Sequence, residues 1–196
     1  MKITAIKAQV KNPDRVSVYV DEKYSFSLNC AQLLDLKLCV GLEVDQAKLD
    51  EFKKASDFGK LYERLMRYAL LRPRSVYEIE QYCRRKKYVL DDCREIIQKL
   101  ITRGYVNDEQ FSKSWVENRR LNKSVSVKRL RLELRQKGVS SDIVDQVLSE
   151  SEYNEQAALQ DLIAKKRRQT KYHDDQKLLQ YLARQGFGYD DIKQAL

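Results

Sequence analysis

The sequence Leu-Ile-Thr-Arg-Gly-Tyr-Val-Asn-Asp-Glu-Gln-Phe at residues 100–111 contains the end of one helix and the start of another. Gly104 can adopt the left-handed conformation that terminates helices. Asn107 can cap the following helix, because its side-chain oxygen accepts a hydrogen bond from a free backbone N–H group. Similar junctions of a helix, a glycine and an apolar residue recur at Gly138 and Gly186. The recurrence indicates internal repetition.

Three copies of one helical pattern are found by sliding the chain along itself by 51 residues and then by a further 48. Each copy has a capping residue, apolar residues four positions apart, a turn followed by an apolar residue, and an acid that opens a second short helix. The copies consist of Ser75, Ile79, Cys83, Lys87, Tyr88, Asp91 and Ile97, then Ser126, Leu130, Leu134, Gly138, Val139, Asp142 and Leu148, then Asp174, Leu178, Leu182, Gly186, Phe187, Asp190 and Leu196. A longer helix precedes each copy, at about 58–71, 107–122 and 153–171. The pattern therefore predicts a mainly α fold of three tandem three-helix modules in an elongated array.

The predicted modules occupy residues 58–106, 107–151 and 152–196. Within the first module, Ser75 and Glu78 have the spacing of a capping box, in which each side chain satisfies a free backbone N–H group near the other. Lys87 stands where the two later modules have glycine. Because a lysine is strained in the left-handed conformation, we expect the first module's turn to differ from the other two.

Residues 1–57 carry strand signals instead of helical ones. Apolar residues alternate with polar ones in two runs, and the charged break between the runs is typical of a hairpin. The predicted strands are 3–10, 16–20 and 24–28, with a turn at 21–23, and short helices are predicted near 30–38 and 45–57. We expect a small three-stranded N-terminal extension packed on a helical body.

The composition argues against several classes of protein. Only two prolines and six glycines occur among 196 residues, and 34% of the residues are charged, which favours helices with solvated faces. The four cysteines lack metal-ligand spacing and are expected to be reduced cytosolic thiols. No apolar run is long enough for a membrane span or resembles a signal peptide, so we expect neither membrane insertion nor secretion.

No catalytic constellation is present in the sequence. Phosphate-binding loops, zinc-protease motifs and nucleophile motifs are all missing. The single histidine, His173, lies in a polar basic run, where a solvated surface position is the simplest interpretation. Acidic pairs at 91–92, 174–175 and 190–191 open predicted helices and complement the helix dipole. We therefore expect no enzyme activity, no metal site and no cofactor.

The net charge of +9 is concentrated in the later part of the chain. Residues 1–57 have nine basic and nine acidic side chains, whereas residues 58–196 have 29 and 20. Basic side chains cluster in each predicted module, and the candidate binding residues are Arg84, Arg85, Lys86, Arg119, Arg120, Lys123, Lys128, Arg131, Arg135, Lys165 and Arg168. On a helical wheel Lys128, Arg131 and Arg135 share one arc, which also contains Leu132. These cations suit nucleic-acid phosphates, and the same guanidinium groups could hold carboxylates on a protein.

Four stretches together resemble one known family, the RecX regulatory proteins. They are Leu-Leu-Arg-Pro-Arg-Ser at 70–75 followed by Glu-Ile at 78–79, Gly-Tyr-Val-Asn-Asp-Glu-Gln-Phe at 104–111, Arg-Leu-Arg-Leu-Glu-Leu-Arg-Gln-Lys-Gly-Val at 129–139, and Leu-Ala-Arg-Gln-Gly-Phe at 182–187. The resemblance covers residues 58–196, and the strand-bearing start looks like the extension of longer members. It is the order and spacing of the stretches that make the resemblance specific.

The resemblance implies a bacterial cytoplasmic protein that binds the RecA recombinase filament in its groove and inhibits strand exchange, ATP hydrolysis and co-protease activity, with a role in homologous recombination, DNA repair and the SOS response. It also implies binding to single- and double-stranded DNA with little sequence specificity, and we expect a monomer. Only the basic positions and the joint at Gly104, Tyr105 and Asn107 are carried over as site residues. The alternative is a basic helical nucleic-acid-binding protein that acts without RecA.

Overall fold

The computed structural model describes residues 1–122 and 124–196. The predicted binding residue Lys123 lies outside the described residues. The chain divides into two compact units, which are residues 1–68 with 89–96 and residues 69–88 with 97–196.

The first unit begins with a three-stranded antiparallel sheet. Its strands are β1 (Ile3–Gln9), β2 (Asn12–Val20) and β3 (Lys23–Asn29), in the order β1-β2-β3. The predicted hairpin is confirmed: Val18 pairs with Phe26, and Asp21 and Glu22 form the turn with positive φ angles of 47° and 65°. Two positive φ angles match the right-handed twist of the flanking strands.

The helices of the N-terminal part are α1 (Cys30–Asp35) and α2 (Gln46–Leu70). The two helices predicted at 45–57 and 58–71 are therefore wrong, because α2 runs unbroken through both. Gly59 lies inside α2, and a Cβ atom there would be 2.4 Å from the side-chain amide of Gln32. That amide donates a 2.6 Å hydrogen bond to the Ala55 carbonyl. The glycine thus allows close approach of Gln32 and does not end the helix.

Three-helix modules follow, as predicted. Along the chain α2 is followed by α3 (Val76–Lys86) and α4 (Leu90–Thr102) in the first predicted module. The second module consists of α5 (Asp108–Asn122), α6 (Val127–Gln136) and α7 (Ser141–Glu150), and the third of α8 (Glu155–Arg167), α9 (Asp175–Arg184) and α10 (Tyr189–Ala195). A 3₁₀ turn at Thr170–Tyr172 precedes α9. The apolar residues that the repeat placed four positions apart are all fully buried, namely Ile79, Cys83, Leu130, Leu134, Leu178 and Leu182.

The expectation that the turn after α3 differs from its two counterparts is wrong. Lys87 adopts the left-handed conformation, with φ 56° and ψ 37°. The N–H group of Tyr88 donates to the Cys83 carbonyl at 3.2 Å, and the corresponding bonds after α6 and α9 measure 3.2 and 3.4 Å. All three turns are therefore of the same kind, in which the chain closes a helix by bonding back five residues.

The predicted capping box at Ser75 is only half formed. The Ser75 hydroxyl accepts the N–H group of Glu78 at 3.2 Å, but the Glu78 carboxylate does not return to the Ser75 backbone. It instead accepts hydrogen bonds from Arg72 at 2.9 and 3.1 Å and from Lys137 at 2.8 Å. Burial by itself raises the pKa of Glu78, but the hydrogen bonds and charges of these two cations outweigh it and lower the pKa.

Candidate binding site

The N-terminus of α3 contacts the second module through two hydrogen bonds. The hydroxyl of Ser75, which is fully buried, donates to the main-chain carbonyl of Lys137 at 2.7 Å. The N–H group of Val76 donates to the carboxylate of Asp108 at 2.9 Å. Burial raises the pKa of Asp108, only partly offset by the hydrogen bond from Val76. These bonds satisfy helix-end groups of both modules, so they fix α3 on the turn that precedes α7.

The N-terminus of α6 makes the same two bonds to the third module. The hydroxyl of Ser126 donates to the Gln185 carbonyl at 2.8 Å, and the N–H group of Val127 donates to the carboxylate of Glu155 at 2.9 Å. Ser126 is likewise fully buried. The chain therefore uses one joint twice, and the joint sets the position of each helix that follows it.

Two glycines allow the close contacts at these joints. Gly138 has φ 76°, and a Cβ atom on it would be 2.3 Å from the Cβ atom of Tyr77. Gly186 has φ 93°, and its Cβ atom would be 2.6 Å from the hydroxyl oxygen of Ser126. Lys87 is exposed, so its side chain has room that the other two positions lack. The departure of the first module from the glycine pattern thus has a steric reason.

The predicted joint residues Gly104, Tyr105 and Asn107 lie beside the first joint. Gly104 has φ 73°, and a Cβ atom there would meet no other described atom within 4 Å. Tyr105 is 45% exposed, and Asn107 accepts the N–H group of Gln110 at 3.0 Å. These residues stop α4 and cap α5, whereas the direct contact between modules comes from Ser75 and Asp108. The sequence offered a signal for Ser75, which is aligned with Ser126 in the repeat.

A basic groove lies beside α6, and we call it the α6 groove. It has a volume of about 910 Å³ and is bounded by α6 and by the end of α9. The charged side chains that line it are Lys128, Arg129, Arg131, Arg135, Arg184 and Glu133. Five cations thus face one acid, and that acid is held by Arg119 at 2.7 Å. The joint at Ser126 brings Arg184 to this groove. Neither Arg129 nor Arg184 is among the candidate binding residues predicted from the sequence, although Arg129 belongs to the basic run of α6.

The three predicted α6 cations differ in their surroundings. Arg131 is paired with Asp145 at 3.0 Å. Lys128 and Arg135 are exposed, and within the described part of the chain neither forms an ion pair. Leu132 also lines the groove and is 56% exposed. The α6 groove therefore combines unpaired positive charge with an exposed leucine.

A second groove, which we call the α8 groove, combines cations from two other predicted clusters. It has a volume of about 480 Å³ and lies between the end of α5, α8 and α9. Its lining includes Arg119, Arg120, Arg129, Lys165, Lys166 and Tyr181. The ammonium group of Lys166 lies 4.7 Å from the centroid of the Tyr181 ring and 5.4 Å from that of Tyr172. Lysines interleaved with aromatic rings are typical of nucleic-acid-binding surfaces.

Some predicted residues line neither groove. Arg84, Arg85 and Lys86 are exposed on the last turn of α3, and Arg168 is exposed at the C-terminal cap of α8. Arg120 lines the α8 groove but is paired with Glu117 at 2.6 Å. Exposed ion pairs of this kind contribute little to stability, so the guanidinium group can exchange partners at low cost.

In the described residues, no cluster of three or more histidine, cysteine or acidic side chains could hold a metal ion. His173 is exposed, with its Nε2 atom 3.0 Å from the Arg167 carbonyl oxygen. All four cysteines are free thiols. Among the helices that the structure describes, none has the length and apolarity needed to cross a membrane.

Comparison with known proteins shows similarity along most of the chain. Residues 1–45 match the Regulatory protein RecX N-terminal domain, residues 107–148 the second three-helix domain of RecX, and residues 153–196 the third. The Regulatory protein RecX of Bacillus pumilus is 32% identical over 99% of this chain and 76% of its own length. That of Bacillus subtilis is 27% identical over 99% of this chain and 75% of its own length.

Two solved structures have similar folds. A crystal structure of a regulatory protein RecX gives a TM-score of 0.81 at 24% identity, and the match covers 99% of this chain and 98% of that one. The crystal structure of RecX from Lactobacillus salivarius gives a TM-score of 0.62 at 26% identity, and covers 72% of this chain and 95% of that one. The first of these matches extends the shared fold to nearly the whole chain.

Proposed function

The chain belongs to the RecX family of regulatory proteins, and we propose that it binds the RecA–DNA filament and restrains its activities. In this proposal the protein lies along the filament groove and inhibits strand exchange, ATP hydrolysis and co-protease activity. It acts by binding and not by catalysis, as a monomer in the bacterial cytoplasm, and it contacts both RecA and the DNA.

The α6 groove is the observation that carries this proposal. Five cations line it, and Lys128 and Arg135 carry charge that no described acid neutralises. Its walls come from two modules, which the bonds of Ser126 and Val127 hold in register. A surface of this kind can contact a repeating polyanionic assembly at several points without rearranging first, which lowers the entropic cost of binding.

Inhibition follows if the protein binds one filament state better than another. A ligand shifts an equilibrium between two states only by the difference in its affinity for them. Contacts that bridge neighbouring RecA subunits and DNA phosphates would favour the state in which those groups have the matching spacing. The conformational cycle that ATP hydrolysis drives would then be opposed, as would the entry of a second duplex.

The test is the DNA-dependent ATPase and strand-exchange activity of RecA with stoichiometric amounts of the protein. We expect both activities to fall, and the double variant Lys128→Glu/Arg135→Glu to inhibit at least about tenfold less well at equal concentration, because it reverses two contacts. The control variant Lys11→Glu/Lys54→Glu makes the same change of net charge on exposed residues of the first unit. Unchanged RecA activities with the wild-type protein would exclude the proposed function.

A nucleic-acid-binding protein that acts without RecA is the second candidate, and the α8 groove favours it. Lys165, Lys166 and Tyr181 together offer phosphate and base contacts. Binding to RecA–single-strand filaments and to bare single strands, each measured across a salt series, separates the candidates. Phosphate-driven affinity falls steeply with salt, whereas contacts to protein fall less. If filaments bind no better than bare strands at every salt concentration, the second candidate is favoured.

A further inference from the structure

We propose that the α6 groove receives an acidic protein segment that places a large apolar side chain against Leu132. This inference rests on the proposed function and deepens it, because it assigns one of the two basic grooves to a protein partner. It does not follow from charge alone, since guanidinium groups bind carboxylates and phosphates equally well in geometry.

Leu132 is the first argument for a protein ligand. It lies four residues after Lys128 and three before Arg135, so helical spacing places all three on one face of α6. The side chain is 56% exposed, and it lines the groove with Ala183 and the aliphatic parts of the arginines. A leucine facing a phosphate backbone would gain little from the contact, whereas covering it with an apolar side chain removes both from water.

The polar groups of the groove are the second argument. Four of its five cations are arginines, whose planar forks can hold carboxylates through two parallel hydrogen bonds. Gln136 and Gln185 also line the groove, and their amides can donate to and accept from the backbone of an extended segment. The Gln185 side-chain oxygen already accepts a 2.6 Å hydrogen bond from Arg129, and its NH₂ group can still donate.

The contrast with the α8 groove is the third argument. None of the residues that line the α6 groove in the described part of the chain is aromatic, so no ring is available there for base stacking. The α8 groove has Tyr181 and the lysines 165 and 166. Stacking on aromatic rings supplies much of the affinity for single strands. The two grooves thus differ in the direction expected if the α6 groove meets protein and the α8 groove meets nucleic acid.

The experiment uses the full chain and three fluorescein-labelled probes. The first is a peptide of about ten residues with glutamates around one central leucine. At this length, side chains on both sides of the central residue can reach the groove. The second has serine in place of that leucine, and the third is an oligothymidine of similar charge. Fluorescence anisotropy gives the affinity of each probe for the wild type, for Leu132→Ser and for the control Leu121→Ser. Leu121 is 71% exposed and lines the α8 groove, so it is a matched exposed leucine.

We expect the wild type to bind the leucine peptide about five- to tenfold more tightly than the serine peptide, as expected for partial burial of two apolar side chains. Leu132→Ser should abolish this preference and leave oligothymidine binding unchanged, and Leu121→Ser should keep the preference. If the wild type shows no preference, if Leu132→Ser keeps the preference, or if Leu132→Ser weakens oligothymidine binding as much as peptide binding, the inference is wrong.

The same variants separate this inference from the proposed function. Binding to RecA–single-strand filaments should fall about tenfold in Leu132→Ser, as for a central apolar contact of an interface, while binding to bare strands stays constant. If the wild-type protein inhibits RecA, and Leu132→Ser inhibits RecA and binds filaments as well as the wild type does, only the inference is overturned. Wild-type protein that leaves RecA unaffected but shows the peptide preference would overturn the proposed function alone.

Discussion

The hydroxyl group of Ser75 donates a 2.7 Å hydrogen bond to the carbonyl oxygen of Lys137, although 62 residues separate the two in the chain. The same hydroxyl accepts the N–H group of Glu78 and so caps α3. One buried side chain therefore both starts a helix and attaches it to the next module. Ser126 repeats the arrangement at the second joint.

Replacing either joint serine by alanine should destabilise the protein more than loss of a helix cap alone. Ser75→Ala and Ser126→Ala each remove the cap and leave a part-buried carbonyl without its donor. We expect a loss of about 2–3 kcal/mol in the free energy of unfolding. Ser140→Ala is the matched control, because Ser140 is exposed and caps α7 through a single 3.5 Å bond from the N–H group of Ile143. Urea unfolding measures all three, and equal losses would show that the joint bonds contribute nothing beyond capping.

Alanine should be tolerated at Gly104 and not at Gly138, although both glycines have similar φ angles of 73° and 76°. Gly104→Ala meets no neighbour within 4 Å, so we expect only the backbone cost of about 1–2 kcal/mol. Gly138→Ala adds a collision with the Cβ atom of Tyr77 and should cost about 3 kcal/mol or more. Thermal unfolding of the two variants checks the order of their stabilities.

Binding to the RecA filament tests whether the predicted joint at Gly104 also sets the alignment of the modules. Filament binding should weaken more in Gly104→Val than in Arg135→Ala.

Glycine at position 87 should stabilise the protein. Lys87 has a φ angle of 56°, and its Cβ atom makes this left-handed conformation costly. The side chain is exposed, so it does not offset that cost by packing between modules. Lys87→Gly relieves about 1 kcal/mol of backbone strain, partly offset by the greater entropy of the unfolded chain. We expect a net gain of a few tenths to about 1 kcal/mol in urea unfolding. A loss of stability would mean that the lysine side chain contributes contacts of its own.

Two carboxylates at the first joint, those of Asp108 and Glu78, should make the stability of the protein depend on pH in opposite directions. The pKa of Asp108 is raised in the folded protein by burial, so its contribution to stability is present at low pH and is lost as the pH rises through the folded pKa. Asp108→Asn keeps an oxygen acceptor for Val76 and cannot ionise. The variant should therefore gain stability relative to the wild type as the pH rises from about 3 to 7. If the difference in unfolding free energy between Asp108→Asn and the wild type does not change over this range, the raised pKa of Asp108 is contradicted.

Glu78 should behave in the reverse way. Its pKa is lowered because the hydrogen bonds and charges of Arg72 and Lys137 outweigh the effect of burial, so its contribution is present above the unfolded pKa and is lost as the pH falls through the folded one. Glu78→Gln should be less stable than the wild type at pH 7, and the difference should shrink below about pH 4. Urea unfolding across this range measures it, and a deficit that persists at low pH would point to lost packing instead of lost charge.

The α8 groove should dominate the salt dependence of binding to bare single strands. Lys165→Glu/Lys166→Glu removes two phosphate contacts, so the slope of log affinity against log salt should become smaller by about 1.4. Lys128→Glu/Arg135→Glu makes the same change of charge in the α6 groove and should alter the slope less. Equal changes in the two double variants would indicate that single strands use both grooves.

Local features of this fold could be predicted from the sequence. The hairpin at Asp21 and Glu22, the caps at Ser75 and Asn107, and the buried stripe through Leu130 and Leu134 all depend on residues within about five positions of one another. Such signals act through backbone conformation and helical spacing, which the order of residues alone specifies. The basic face of α6 was visible for the same reason.

Features that depend on distant contacts were missed or wrong. The glycine at position 59 is explained only by the tertiary structure, because the Gln32 amide occupies the space that a Cβ atom would need. Glu78 had the spacing of a capping box, but Arg72 and Lys137 offered it charged donors, which bind a carboxylate more strongly than a backbone N–H group. Lys87 broke the glycine pattern, and only the structure gives the reason: Gly138 lies against Tyr77 of the preceding module, whereas Lys87 is exposed.

The sequence by itself determined where most helices start and stop, with the long helix α2 as the exception, and which face of the repeated helices is apolar. It also determined that one module is repeated, because these properties follow from local conformation and periodicity. Only the tertiary structure decided which cations share a groove. Arg131 and Arg184 line one groove and Arg119 and Lys165 another because the joints at Ser75 and Ser126 fix each helix on a turn about 60 residues away. No local pattern encodes that pairing, since it arises from hydrogen bonds and steric fit between distant segments.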